Sequence, residues 1–132
     1  MKLKTETGRS IRNPSTDEIS IALNSIDGDK CHFASLRVNE MTYVQTSGDP
    51  NQGFSLEYQT GSVDRHYIAT DEKLKMEEIE KAFLAYSKGD DSWINDHDWI
   101  KLDLLTRKRK IYAIITLAVI ISGYLIIDKI MG

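Results

Sequence analysis

Gly53-Phe54-Ser55-Leu56-Glu57-Tyr58-Gln59-Thr60-Gly61-Ser62-Val63-Asp64-Arg65-His66-Tyr67-Ile68-Ala69 is the stretch that decides the fold. Phe54, Leu56 and Tyr58 alternate with Ser55, Glu57 and Gln59, the period-2 pattern of a half-buried strand. Gly61-Ser62 supplies a turn, and a two-residue loop with Gly first pairs Thr60 with Val63. That register sets Glu57 opposite His66 and Leu56 opposite Tyr67. Phe54, Leu56, Tyr58, Tyr67 and Ala69 then share an apolar face, and Ser55, Glu57, Gln59, Asp64 and His66 a polar one.

Working outward, Cys31 to Ala69 consists of short runs rich in Phe, Val, Tyr, Thr and Ile, broken at Asn39-Glu40, at Gly48 to Gly53 and at Gly61-Ser62. The pattern predicts four antiparallel strands in a meander. Ile100, Leu102 and Leu104, alternating with Lys101 and Asp103, predict a last one. Before the meander, Ser15 and Glu18 have capping-box spacing, and Ile19, Ala22, Leu23 and Ile26 fall on one helical face, which predicts a helix over 15–27 stopped by Gly28. Ile19, Ile21 and Leu23 also alternate, so a strand is the competing reading there. After the meander, Met76, Ile79, Phe83 and Tyr86 predict a second helix, closed by Gly89 and packed on the sheet's apolar face. The expected fold class is α+β: an antiparallel sheet of four to five strands packed against one or two helices, plus a C-terminal transmembrane helix.

The transmembrane expectation rests on Ile111 to Ile127, a run without charge that directly follows Arg107-Lys108-Arg109-Lys110. At about 1.5 Å per residue the run spans about 25 Å, the short end of what a hydrocarbon core requires. The basic residues flank the membrane and hold their side in the cytoplasm. Residues 1–12 are polar and lack the apolar stretch of a signal peptide, so they read as an N-terminal tail. The organisation expected is a tail at 1–12, a cytosolic domain at 13–104, a basic juxtamembrane linker at 105–110, a membrane helix at 111–127 and a short tail at 128–132. Roughly 100 residues before the anchor suffice for one domain.

Residues 1–106 carry 12 basic and 19 acidic side chains, a balance of −7, whereas the cluster at 107–110 contributes +4. An acidic domain is repelled by nucleic acid and anionic lipid and favours basic protein partners, while the basic cluster pairs with lipid headgroups. Nucleic acid is excluded as a partner on this ground. Cys31 is alone, which rules out an intramolecular disulfide framework and fits a reducing compartment, with a packed thiol as its expected state.

Glu57 beside His66 has the composition of an acid–base pair, although a cross-strand surface pair needs nothing more. No Ser or Cys near them sits in a recognisable nucleophile elbow or helix-start context, and Gly48 to Gly53 encloses Pro50 and is no phosphate loop. With no constellation of nucleophile, base and electrophile, the expectation is a protein that is not an enzyme and uses no cofactor. Asp90, Asp91, Asp96, His97 and Asp98 offer metal ligands, but in no EF-hand or helical His spacing, so no metal is expected. Tyr43 and Gln45, alternating on the second strand, join the face of Glu57 and His66 as candidate partner-binding residues. Trp93 is a further candidate, although Trp93 and Trp99 also suit lids over the edge of the core.

Met41-Thr42-Tyr43-Val44-Gln45-Thr46, Gly53-Phe54-Ser55-Leu56-Glu57-Tyr58, Asp64-Arg65-His66-Tyr67 and Ala82-Phe83-Leu84-Ala85-Tyr86 with Gly89-Asp90-Asp91-Ser92-Trp93 also carry a resemblance. Taken in that order, over about residues 13 to 104, they resemble small α+β immunity-protein-like families of bacterial polymorphic toxin systems. The resemblance implies a cytosolic domain that neutralises a toxin by binding and occluding it, without catalysis. The membrane anchor departs from the soluble members of such families. The resulting expectation is a tail-anchored protein of the inner (cytoplasmic) membrane that binds a basic toxin domain. The alternative is a structural or scaffold subunit of a bacterial membrane complex, in which the membrane helix makes specific contacts.

Overall fold

The computed structural model describes residues 1–8 and 10–102. The fold is α+β, a seven-stranded antiparallel sheet with two helices. The strands are β1 (Lys2–Thr5), β2 (Ser10–Arg12), β3 (Phe33–Asn39), β4 (Thr42–Asp49), β5 (Gly53–Thr60), β6 (His66–Ala69) and β7 (Trp99–Leu102), in spatial order β2-β1-β3-β4-β5-β6-β7. Helix α1 spans Thr16–Asn24 and α2 spans Met76–Ser87.

Two more strands are present than the four to five expected. Both come from the dozen residues expected to be a tail, where Leu3 and Thr5 are buried and Ile11 is half-buried. Lys2, Leu3, Lys4 and Thr5 pair with Arg37, Leu36, Ser35 and Ala34, so β1 satisfies the edge that β3 would otherwise leave open. The apolar half of this alternation is only Leu3 and Thr5, too little to stand out in a polar segment.

Phe54, Leu56 and Tyr58 of β5 bury one face, as do Leu36 and Ala34 of β3 and Val44 of β4, and the two helices cover it. Ile19 and Leu23 of α1 and Ile79 and Phe83 of α2 are fully buried. Each such side chain contributes about 1.5–3 kcal/mol through burial. Ser15 caps α1: its Oγ accepts from the Glu18 N–H at 3.2 Å, while the Glu18 carboxylate accepts from the Ser15 N–H at 3.0 Å. The helix ends three residues earlier than expected. Ser25 Oγ donates back to the Ala22 carbonyl at 2.6 Å. The Asp27 carboxylate then gathers the N–H groups of Asp29, Lys30 and Cys31 into a turn, which holds its carboxyl below the usual range.

The connection between β5 and β6 also departs from expectation. Val63–Arg65 forms a single 3-10 turn, so the loop is longer than Gly61-Ser62 and the pairing slips by two residues: Glu57 faces Ile68, Tyr58 faces Tyr67 and Gln59 faces His66. A slip of two keeps every side chain on its expected face, because the strand period is two. The membrane helix at 111–127, the linker with Arg107, Lys108, Arg109 and Lys110, the tail at 128–132 and Leu104 lie outside the described residues. Among the described residues no helix is long and apolar enough to cross a membrane.

Candidate functional site

The helices cover one face of the sheet, and the opposite face collects the polar residues of the strands. Two cross-strand rows organise it. One runs Arg12, Lys2, Arg37, Tyr43, Gln59, His66 across β2, β1, β3, β4, β5 and β6; the next runs Ser10, Lys4, Ser35, Gln45, Glu57, Ile68. Residues directly opposite one another on paired strands share a face, so these rows are neighbours on one surface.

Glu57 is the hub. One of its oxygens accepts from Gln45 Nε2 at 2.8 Å, and the other lies 2.9 Å from His66 Nε2. The His66 side chain is 5% exposed and that of Glu57 20%, so the carboxylate is the half-buried member and the imidazole the buried one. His66 Nδ1 is buried without a hydrogen-bond partner. The Glu57 carboxylate accepts only, so the hydrogen bond fixes the proton on Nε2 in the neutral imidazole and leaves Nδ1 as the bare lone pair. The Tyr43 ring meets the His66 ring edge-on, with centroids 6.0 Å apart, and its hydroxyl donates to Gln59 Oε1 at 3.4 Å. The Arg37 guanidinium lies 4.3 Å from the centre of the Tyr43 ring, a cation–π contact. Gln59 Nε2 donates to the Met41 carbonyl at 3.2 Å, which ties the cluster to the β3–β4 turn.

Four of the expected partner-binding residues, Tyr43, Gln45, Glu57 and His66, therefore come together. They differ in access: Gln45 and Glu57 are half-buried, whereas Tyr43 and His66 are buried. Glu57 and His66 meet as a diagonal pair and not as direct opposites, a consequence of the two-residue slip. Gln59 belongs to the cluster, and its alternation with Glu57 had already put it on this face.

Trp93 does not belong to the surface. It is 2% exposed and stacks edge-on against Tyr58, Trp99 and Tyr86, with centroids 5.4, 5.7 and 6.3 Å away. Its placement in the 3-10 turn Ser92–Asp96 after α2 turns it inward. Trp99 is half-buried beside it and donates to the Ile94 carbonyl at 2.8 Å. The acidic segment before β7 is engaged locally: Asp90 accepts from the Ser92 N–H at 2.9 Å, and Asp96 pairs with Lys81 at 3.1 Å. Among the described residues no group of three or more His, Cys, Asp or Glu is placed to hold a metal ion.

The charge is segregated. Residues 71–98 hold nine acidic against four basic side chains, so α2 and the turns flanking it carry most of the negative excess. The open face near β1 and β3 is basic instead, with Lys2, Lys4 and Arg37 around a shallow groove of about 630 Å³. The cluster can thus hold hydrogen-bonding groups of a partner against Gln45 and Glu57, which are already aligned by their mutual contact.

No family model matches the chain, and neither a curated protein nor a solved structure matches it.

Proposed function

We propose that the chain is a tail-anchored protein of the bacterial inner membrane whose cytosolic domain recognises another protein through the open face of its sheet. It acts by occlusion, as an immunity protein does toward a toxin domain. The observation that carries this reading is the Gln45–Glu57–His66 network: a half-buried carboxylate and amide held in one arrangement by a buried imidazole, on a face that neither described helix covers. Such alignment lowers the ordering cost of binding. Glu57 supplies the carboxylate that meets a basic group of the partner at contact. The uncharged run 111–127 behind Arg107 to Lys110 supplies the anchor, and a tether concentrates the inhibitor where a toxin crosses the membrane.

The test is affinity capture of the tagged full chain from solubilised membranes of the native organism, beside the variant Gln45→Ala/Glu57→Gln. A basic soluble protein captured in stoichiometric amount by the wild type, and at least roughly tenfold less by the variant, is the expected result. An eluate of integral membrane proteins alone, unchanged in the variant, contradicts it and favours a scaffold subunit.

A further inference from the structure

β2 is the outermost strand in the order β2-β1-β3-β4-β5-β6-β7, and its pairing to β1 fixes which of its backbone groups are already bonded. The Asn13 N–H donates to the Met1 carbonyl at 2.7 Å. Bonded and non-bonded pairs alternate along an antiparallel ladder, so Ile11 exchanges hydrogen bonds with Leu3, whereas Arg12 and Lys2 stand opposite each other without exchanging any. The N–H and C=O groups of Ser10 and Arg12 therefore point away from β1, along an edge that no other described strand pairs.

The two sides of this edge differ in chemistry. On the helix side Ile11 lines a cavity of about 180 Å³ together with Leu3, Ile21 and Ala22, and Glu18 is its charged member. Ile21 is 64% exposed, so the cavity reaches solvent on that side. An apolar cavity of about 150 Å³ holds a benzene ring, so this one admits a leucine, isoleucine or phenylalanine side chain. On the open side Arg12 stands opposite Lys2 and Lys2 opposite Arg37, with Lys4 in the next row. Among the described residues none of these four forms an ion pair. Asp17 and Glu18 belong to α1, on the helix side, where the Glu18 carboxylate accepts from the Ser15 N–H at 3.0 Å. The acid lining the groove of Lys2, Lys4 and Arg37 is Glu40, which follows β3, two strands away from β2.

We infer that β2 accepts an extended segment of a partner protein as an eighth strand. The segment seats one aliphatic or aromatic side chain in the cavity and sets a carboxylate against Arg12 and Lys2. Strand alternation puts these two side chains on neighbouring residues, and the outward groups of Ser10 and Arg12 supply the main-chain bonds. Pairing of β2 with β2 of a second copy is the competing way to close the edge. It brings Arg12 and Lys2 of both copies together, so like charges oppose it and favour the acidic segment. The edge lies three strands from Gln45 and four from Glu57, so it takes its segment whatever the open face binds.

The test uses the isotopically labelled full chain in mild detergent and a capped synthetic peptide, Thr-Glu-Ile-Glu-Thr, and follows hydrogen exchange of individual amides by NMR. At about ten times its Kd the peptide occupies about nine-tenths of the edge, so exchange at Ser10 and Arg12 slows roughly tenfold. Serine for the peptide's isoleucine, or lysine for both its glutamates, removes the effect at the same concentration. Ile21→Lys, at an exposed helix position, blocks the cavity and also removes it, and Arg12→Glu transfers the preference to the lysine peptide. No slowing by the glutamate peptide up to about 10 mM overturns the proposal. Equal slowing by the glutamate and lysine peptides overturns the acidic segment. Slowing that grows with protein concentration in the absence of peptide assigns the edge to a second copy and overturns the proposal as well.

Discussion

Glu57→Ala separates a built network from a chance surface contact. The substitution removes the acceptor of two hydrogen bonds. Gln45 is half-buried and recovers water at little cost, but the His66 side chain is 5% exposed and cannot. Its Nδ1 already lacks a partner, so the imidazole is left with both nitrogens unpaired in a buried place. One buried group left unsatisfied costs about 1–3 kcal/mol, so the expected loss is about 2 kcal/mol. For a domain of this size that lowers Tm by about 10 °C. Glu57→Gln keeps the shape and offers one donor and one acceptor; with a change of imidazole tautomer it retains both contacts and costs less than about 1 kcal/mol. Urea denaturation of the full chain in mild detergent, read from Trp93 and Trp99 fluorescence, measures both variants. If both lie within about 0.5 kcal/mol of the wild type, the network does not organise this face and the reasoning fails.

Three further outcomes follow from other parts of the fold. Glu6 bridges the His32 side chain at 2.8 Å and its backbone N–H; the side-chain hydrogen bond holds Glu6 below its ordinary 4.5 and His32 above its ordinary 6.5. The His32 share of stability is complete below 6.5 and lost as pH rises through its raised pKa, and the Glu6 share is complete above 4.5 and lost as pH falls through its lowered pKa. The pair therefore contributes most between these values, and NMR titration shows a His32 midpoint above 6.5 that Glu6→Gln returns to the ordinary value. Tyr86→Phe removes a buried hydroxyl that lacks a partner and raises stability by about 1 kcal/mol in the same denaturation assay. Gly53→Ala destabilises by roughly 3 kcal/mol, since Gly53 has φ +98° and a Cβ there meets the Lys73 Cα at 2.6 Å.

The sequence showed which residues face which way far better than it showed where chains turn. Period-2 alternation in β5 set Tyr58 inward and Glu57 outward, and that survived a two-residue error in register because the error was even. The register differs because Gly61-Ser62 has hairpin chemistry, while Val63–Arg65 closes a further 3-10 turn that no Gly or Pro announces. Ser15 and Glu18 announced the start of α1 because capping is a local interaction, but its end depended on the Asp27 turn. β1 is not legible locally because it is stabilised by β3, a partner distant in sequence, and Lys2 and Lys4 mask the alternation of Leu3 and Thr5. The candidate site was legible as composition on one face; the burial of Trp93 and His66 was not, because it depends on packing from several elements. A net charge, likewise, could not reveal that the cations gather in one cross-strand row.

The central claim, recognition through the open face, is tested most directly by photo-crosslinking in living cells with p-benzoylphenylalanine in place of Ser47, an exposed residue on the open face in line with Gln45. The same probe in place of Glu77, on α2 at the covered side, is the control. The account predicts a discrete adduct with one protein from position 47, lost with Glu57→Lys, and none with that protein from position 77. An adduct from position 77 alone, or one from position 47 that Glu57→Lys leaves unchanged, contradicts it.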